Sequence, residues 1–315
     1  MTRDLLAEAD EAAERAAKAA RVSIRELDSL DELLAAIRVF DSIWVPESGN
    51  SSVRLDLLRA LTKAGNYASG AYDVGTGALL GACVGFFGPP SHAELHSHIA
   101  GVIPAGLGRS IGFALKVHQR AWCLRHDVRV VAWTYDPLIR RNAYFNLVKL
   151  GARPVEYLPN FYGAMSDAIN GGTETDRMLV HWDLRSGLVA DACAGVARPA
   201  SHAAQLACGA EVALSAAADG WPVIGAGGSV GDGPAARSAF GASASRTVLV
   251  GVPVDVEGLR VADPARAAAW RTALREAFAP LMADGARVTG FDRDGWYVVM
   301  PGPAGPDEQA SRRFG

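Results

Sequence analysis

The chain is poor in several features that would have narrowed its role. Its 315 residues include four cysteines, Cys83, Cys123, Cys193 and Cys208, and no two of them fall at CxxC spacing. That argues against a cysteine-built zinc site and against a disulfide framework, and leaves a reducing cytoplasm as the expected compartment. Positive charge is not in excess. The formal net charge is -3, so no bulk attraction to nucleic acid is expected. No run of about 18 apolar residues occurs, so no membrane span is expected. The stretch MTRDLLAEADEAAERAAKAAR lacks the apolar centre of a secretion signal. It is alanine-rich, carries both charges, and reads as a solvated helix or frayed extension over residues 1–21.

Half of the residues are apolar, ample for one large core or two modest ones. Heavy use of Ala, Gly and Arg fits a GC-rich bacterial coding sequence. From Val22 to about residue 185 the elements are legible. VSIREL reads as a strand, and SLDELLAAIRVFDSIW as a helix with Ser29 as N-cap. RLDLLRALTKAG is a helix ended by Gly65, and YASGAYDV and GALLGACVGFFG form a hairpin across GTG. ELHSHIAGV is a strand, and Ser110 to Arg125 a helix whose Ile111, Leu115, His118 and Trp122 share one face while Lys116, Gln119 and Arg120 point elsewhere. VRVVAWTY is a buried strand. DPLIRRNAYFNLVKLGA is a helix with Pro137 in its first turn and Gly151 at its end, and two closing strands follow near RPVEYLPNFY and RMLVHWDL. Residues 186–246 are rich in Ala, Gly, Ser and Pro and read as a linker, helical in part around SHAAQLACGAEVALSAA. A small α+β unit is expected over 247–301, and a disordered tail over 302–315.

The stretch LHSHIAGVIPAGLGRSIGFALK joins a strand to a helix through a glycine turn. It is not a Rossmann fingerprint, because Ile111 stands where the last glycine belongs. It is not a Walker loop either, because Gly-Lys-Ser/Thr is absent. A plain tight turn and a pyrophosphate cradle remain. In the cradle, main-chain N–H groups from Leu107 to Gly112 would be aimed at an anion with help from the helix dipole. Gly108 and Gly112 would permit close approach, and Arg109 would add a charge-assisted hydrogen bond.

At these residues the sequence resembles the GNAT superfamily of acyl-coenzyme A N-acyltransferases, and in its longer wording a bacterial branch of it. The family pattern R/Q-x-x-G-x-G/A falls on Leu107-Gly108-Arg109-Ser110-Ile111-Gly112, with Leu107 and Ser110 departing from it and Ile111 and Gly112 fitting. A second signature falls on Ala143, Lys149 and Gly151, with Leu147 where many members carry a tyrosine. The resemblance covers about half the chain. It implies an α/β fold with a mixed, splayed central sheet flanked by helices over 22–185, to which the small C-terminal unit is appended. It implies acetyl-CoA or another acyl-CoA as co-substrate, no metal, and direct attack of an amine on the thioester. Main-chain donors near Gly101 and Val102 would hold the thioester carbonyl.

A lysine-like amine must be deprotonated first, at a cost of about 4.6 kcal/mol at pH 7. His96, about ten residues before the turn, is the candidate base. His98 shares its strand face and is a second candidate; the alternative is that both are merely hydrogen-bonded near the core. Two histidines without further spaced ligands do not make a metal site. Tyr144, one helical turn from Leu147, is the candidate acid for the leaving thiolate, and Asn142 and Asn146 are candidates to hold the pantetheine arm. Trp44, Tyr157, Asn160 and Tyr162 are expected around the acceptor. Arg177 is a candidate partner for a carboxylate, which would suit a free amino acid or another small amine. The segment GAGGSVGDGPAARS reads as linker rather than a nucleotide loop. The C-terminal unit has three candidate roles: a lid, a homodimer surface or a degenerate repeat. The rival reading from another class is a non-catalytic coenzyme A-binding module.

Overall fold

The computed structural model describes residues 3–44, 51–163, 174–225 and 246–302. Two sheets carry the fold. The first holds β1 (Val22–Glu26), β2 (Ala68–Asp73), β3 (Leu79–Phe87), β4 (Glu94–Val102), β5 (Val130–Tyr135), β6 (Arg153–Leu158) and β7 (Arg177–Asp183), in the order β1-β2-β3-β4-β5-β7-β6. All its neighbours are antiparallel except β4 and β5, which are parallel. The α/β class and the mixed sheet flanked by helices are as the sequence suggested.

The helices of this half are α1 (Arg3–Ala20), α2 (Leu30–Trp44), α3 (Leu55–Lys63), α4 (Ile111–Arg125) and α5 (Arg140–Tyr144). Ser29 caps α2 as expected. Its hydroxyl accepts from Glu32 N–H at 3.2 Å, and the Glu32 carboxylate accepts from Ser29 N–H at 3.1 Å, a reciprocal capping box. Helix α5 starts after Pro137 rather than around it. It continues as a π-helical turn over Phe145–Lys149, where Leu150 N–H bonds back to Phe145 at 3.0 Å. Gly151, at φ +70°, then supplies the left-handed conformation that stops it.

The N-terminal stretch is not a solvated extension. Ala9, Ala12, Ala13 and Ala20 of α1 are buried, and the helix lies along α4. Alanines let the two backbones approach closely. Glu8 meets the fully buried Arg120 guanidinium in a two-pronged bond of 2.8 and 3.0 Å. A helix that supplies the counter-charge for a buried arginine belongs to the core. Helix α4 has no outward polar face either, since Lys116, Gln119 and Arg120 are as buried as its apolar residues.

The second sheet has the order β11-β12-β10-β8-β9, from β8 (Glu211–Ala216), β9 (Pro222–Ile224), β10 (Val248–Gly251), β11 (Arg287–Phe291) and β12 (Trp296–Met300). Helix α6 (Gly187–Cys193) packs on α1 and the π-helical turn of the first half, while helices α7 (His202–Ala207), α8 (Val256–Ala262) and α9 (Pro264–Ala283) accompany the second sheet. The expected linker is corrected here. Up to residue 225 it contains α6, α7, β8 and β9, and β8 runs parallel to β10 inside the sheet. Its alanine-rich wording hid a strand because Ala213 and Leu214 gain their burial from the neighbours β10 and α9, not from local propensity. Nearly all of GAGGSVGDGPAARS, and the tail beyond residue 302, lie outside the described residues.

The second sheet docks where β5 ends. Asp136 is buried and met by Arg271 at 2.6 and 2.8 Å, by Arg260 at 2.5 Å, and by Arg177 at 3.9 Å. Burial alone would raise this carboxyl, but the Arg271 hydrogen bonds and the charges of Arg271 and Arg260 outweigh it and hold the pKa at about 2. Tyr297 bridges the same seam, donating to Pro137 O at 2.8 Å beside the Tyr135 hydroxyl at 3.2 Å.

Candidate active site

The parallel pair β4–β5 lets go early. Glu94, Leu95 and His96 face Val130, Val131 and Ala132, and the pairing then stops. Strand β4 continues to Val102 and β5 to Tyr135, so both run on with that edge unpaired to each other. On its other side β4 stays bonded to β3, with one extra residue at His98, between Ser97 opposite Gly85 and Ile99 opposite Val84. The irregularity therefore sits at His98 and not at Gly101, which pairs normally with Ala82. Gly101 answers to close approach instead, since a Cβ there would stand 2.5 Å from Ile43 and 3.0 Å from Trp44. Trp44 thus lies against the β4 wall of the opening. The adjoining loop, residues 45–50, lies outside the described residues.

Beyond β4 the chain makes a tight turn at Pro104–Gly106 and enters α4. Gly108 (φ +80°) and Ser110 (φ +61°) are both left-handed. That twist turns successive N–H groups to one side, the concave form that accepts anions. Leu107 N–H is spent on Pro104 O at 3.1 Å. Among the described residues none accepts from the N–H groups of Gly108, Arg109, Ser110, Ile111 or Gly112. A Cβ at Gly108 would meet nothing within 4 Å, and one at Gly112 only Val102 at 4.0 Å, so the surface before these donors is open. Leu107 is exposed and Ile111 buried.

The Arg109 side chain is not part of this cradle. It donates to Ala20 O at 3.0 Å and Arg21 O at 2.9 Å and pairs with Asp73 at 2.8 Å, tying the loop to β1 and β2. The guanidinium satisfies the Ala20 carbonyl at the end of α1 and shares the Arg21 carbonyl with Val74 N–H.

On one face of the sheet lie His96 and His98, their ring centroids 6.3 Å apart, both against Phe86 at 5.0 and 5.8 Å. Burial, then the charges of His98 and Lys116, lower the His96 pKa; burial lowers that of His98. Both imidazoles are neutral at pH 7 and able to accept a proton. His181 of β7, opposite Ala132, stands on this side with its Nε2 4.0 Å from Glu94. Tyr162 reaches the β5 wall, its hydroxyl 3.1 Å from Thr134 Oγ1.

On the other face is a group that the sequence did not single out. Lys116 of α4 is 5% exposed and donates to Ser97 Oγ at 3.0 Å and Gln119 Oε1 at 2.7 Å. It lies 3.7 Å from the centre of the Trp133 ring, whose Nε1–H donates to Asn146 Oδ1 at 3.2 Å. Asn146 therefore holds an indole in place from the π-helical turn. The available signal was Lys116, Gln119 and Arg120, off the Ile111–Leu115–His118–Trp122 face of a helix that is otherwise largely apolar.

Several expected residues are placed elsewhere. The Tyr144 hydroxyl accepts from Arg293 Nε at 3.2 Å and so is turned toward the second sheet. Tyr157 is buried, stacked on Phe278, and donates to Asp176 at 2.6 Å; it is a core residue, not a pocket lining. The Asn160 side chain accepts from Thr175 N–H at 3.2 Å and closes its own loop. Arg177 is buried beside Asp136 and its guanidinium lies 5.4 Å from the Tyr162 ring, so it serves the seam between the sheets. Asn142 is half-buried at the start of α5. Among the described residues one group brings metal-ligand types together, His202, Asp292 and Asp294. Its buried member Asp292 already pairs with the His202 ring and accepts from the N–H groups of His202, Asp294 and Trp296, the pattern of a turn clasp.

The chain matches no known family model, and no curated protein is similar to it in sequence. Solved structures do resemble about half of it. An N-acetyltransferase from Staphylococcus aureus is 13% identical over 52% of this chain and 99% of its own, with a TM-score of 0.42. The protein yncA from Salmonella typhimurium, solved with its cofactor acetyl-CoA, is 14% identical over 53% and 95%, at 0.42. A spermidine N-acetyltransferase from Vibrio cholerae is 11% identical over 51% and 92%, at 0.40. Likeness at this level says nothing of substrate or activity, which must be read from the geometry. No helix among the described residues is long and apolar enough to cross a membrane.

Proposed function

We propose that the chain is an acyl-CoA-dependent N-acyltransferase of the GNAT kind, acetyl being the default donor group and a free amino acid or other small amine the acceptor. The observation that carries this is the sequence of two features on one strand. Strand β4 is released from β5 after His96, and free main-chain donors follow it at the head of α4. A pantetheine arm has two amides and the reach of a short strand, so the bare β4 edge from Ser97 to Val102 suits it. Its diphosphate suits the N–H groups of Gly108 to Gly112.

In this reading His96, neutral and in the last pair before the strands part, takes the proton of the attacking amine. His98 and Phe86 narrow the approach, and Trp44 and Tyr162 flank the acceptor. The non-catalytic alternative draws on one specific observation, the engagement of Tyr144 by Arg293, which removes the expected acid from the thioester.

The test is a panel of acyl-CoA donors and amines followed by release of free thiol. Turnover that disappears in His96→Gln while coenzyme A still binds supports the reading. Binding without turnover across the panel supports the module. Gly112→Asp sets a carboxylate before the cradle and is expected to abolish coenzyme A binding; an unchanged affinity removes the diphosphate from this corner.

A further inference from the structure

Lys116 stands at the register position where the β4–β5 pairing fails. The last pair is His96 with Ala132, so the next would be Ser97 with Trp133. The ammonium bonds to the first of these and lies on the ring of the second. It thus touches both strands from beneath, at the apex of the opening.

It is also a buried charge without a counter-ion. Arg120 has Glu8, Asp136 has Arg260 and Arg271, and Asp176 has Arg275. Lys116 has a hydroxyl, an amide oxygen and two indole faces, and among the described residues no carboxylate pairs with it. Burying an ammonium in this way opposes folding unless an anion answers it.

We propose that Lys116 provides a fixed ammonium at the apex of the opening that stabilises the thiolate of coenzyme A released from an acyl thioester bound there. This rests on the acyl-CoA reading above. The acceptor nitrogen gives its proton to His96 and forms the N–C bond. The C–S bond breaks with its electron pair on sulfur, and the sulfur takes the negative charge that the ammonium balances. Such a charge replaces the phenol proton donor that Leu147 lacks, the Tyr144 hydroxyl accepting from Arg293 on the side of the second sheet. The groups facing Lys116 are Cys83 of β3, Ser97 of β4, Gln119 and Cys123 of α4, Trp133 of β5 and Trp182 of β7, with His96 acting on it only by charge from the opposite face of the sheet. Burial lowers its pKa to about 8, with the Cys83 and Cys123 thiols opposing the shift, so the charged form prevails at pH 7.

The experiment needs no acceptor. The thiol of bound coenzyme A is titrated by its thiolate absorbance, as a difference from protein alone, with binding measured beside it by calorimetry. In the unaltered protein the bound thiol is expected to ionise about one pH unit or more below free coenzyme A. Lys116→Met should abolish that shift, and Lys116→Arg should keep it. A bound thiol that ionises at or above the free value overturns the proposal, as does an equal shift in Lys116→Met. If Lys116→Met does not fold, the unaltered protein and Lys116→Arg decide on the same criterion. Coenzyme A that fails to bind the unaltered protein overturns the acyl-CoA reading itself, an outcome distinct from binding with an unshifted thiol.

Discussion

Two buried polar clusters lie along β5, one at Trp133 and one just past the strand's end, and they are built on opposite principles. At the C-terminal end Asp136 is surrounded by guanidinium groups from β7, α8 and α9. At the apex of the opening Lys116 is surrounded by neutral groups. The first cluster is internally answered, its carboxyl pushed far down, and it joins the two sheets. The second is internally unanswered, its amine pulled toward neutrality. A polar cluster that completes itself works as a fastening. One that is left a charge short is paid for by the rest of the fold, and such sites concentrate where ligands bind.

Four measurements break or sharpen this contrast, the largest expected effect first. Asp136→Ala takes from the buried Arg271 guanidinium its two-pronged partner and is expected to cost about 3–5 kcal/mol in denaturant unfolding. The coenzyme A affinity of whatever remains folded should be unchanged, and a weakened affinity would mean that the two clusters are not separate. His96→Gln should show the reverse, a loss of about 10²–10⁴-fold in turnover with unchanged stability and cofactor binding. A pH–rate profile in the unaltered protein should rise through a pKa below 6.5, because His96 is lowered, and fall as Lys116 deprotonates near about 8.

A third measurement concerns stability. Between pH 8 and 10.5 the unfolded chain keeps the Lys116 proton that the folded chain has lost, so unfolding free energy from this group rises with pH, by roughly 3 kcal/mol over the whole window. Below pH 8 its burial penalty is fully present. Lys116→Met should lack this rise; a parallel pH dependence in both proteins would show that the ammonium is not destabilising. Smallest is Arg109→Ala. Coenzyme A affinity should stay within about two-fold, because the guanidinium is committed to Ala20, Arg21 and Asp73. A large loss would return Arg109 to the phosphate site.

The first sheet was legible because its elements announce themselves. Ser29 and Glu32 stand at capping spacing, Gly65 and Gly151 close helices, and VRVVAWTY could only be a buried strand. The glycine turn was legible as a set of candidate donors from its glycines, but the left-handed Ser110 was not, because serine has no preference for that conformation. The strand β8 was not, because an Ala- and Ser-rich segment becomes a strand only when β10 arrives beside it from more than 30 residues away. Tyr157 and Arg177 misled for a related reason. Aromatic and charged residues near a loop look like a binding face until Phe278 and Asp136 are seen to occupy them.

The sequence by itself determined the order of strands and helices around the cradle, the donors at the head of α4 and the histidine pair on β4. Those are local matters, settled by spacing, caps and backbone preferences. Only the tertiary structure decided that β4 and β5 separate at Ser97, that Arg109 turns away, and that Lys116 lies under the gap with no carboxylate beside it among the described residues. Each of these depends on what stands opposite a residue in space, and pairing partners, dielectric and counter-charges are properties of the packed chain rather than of neighbouring letters.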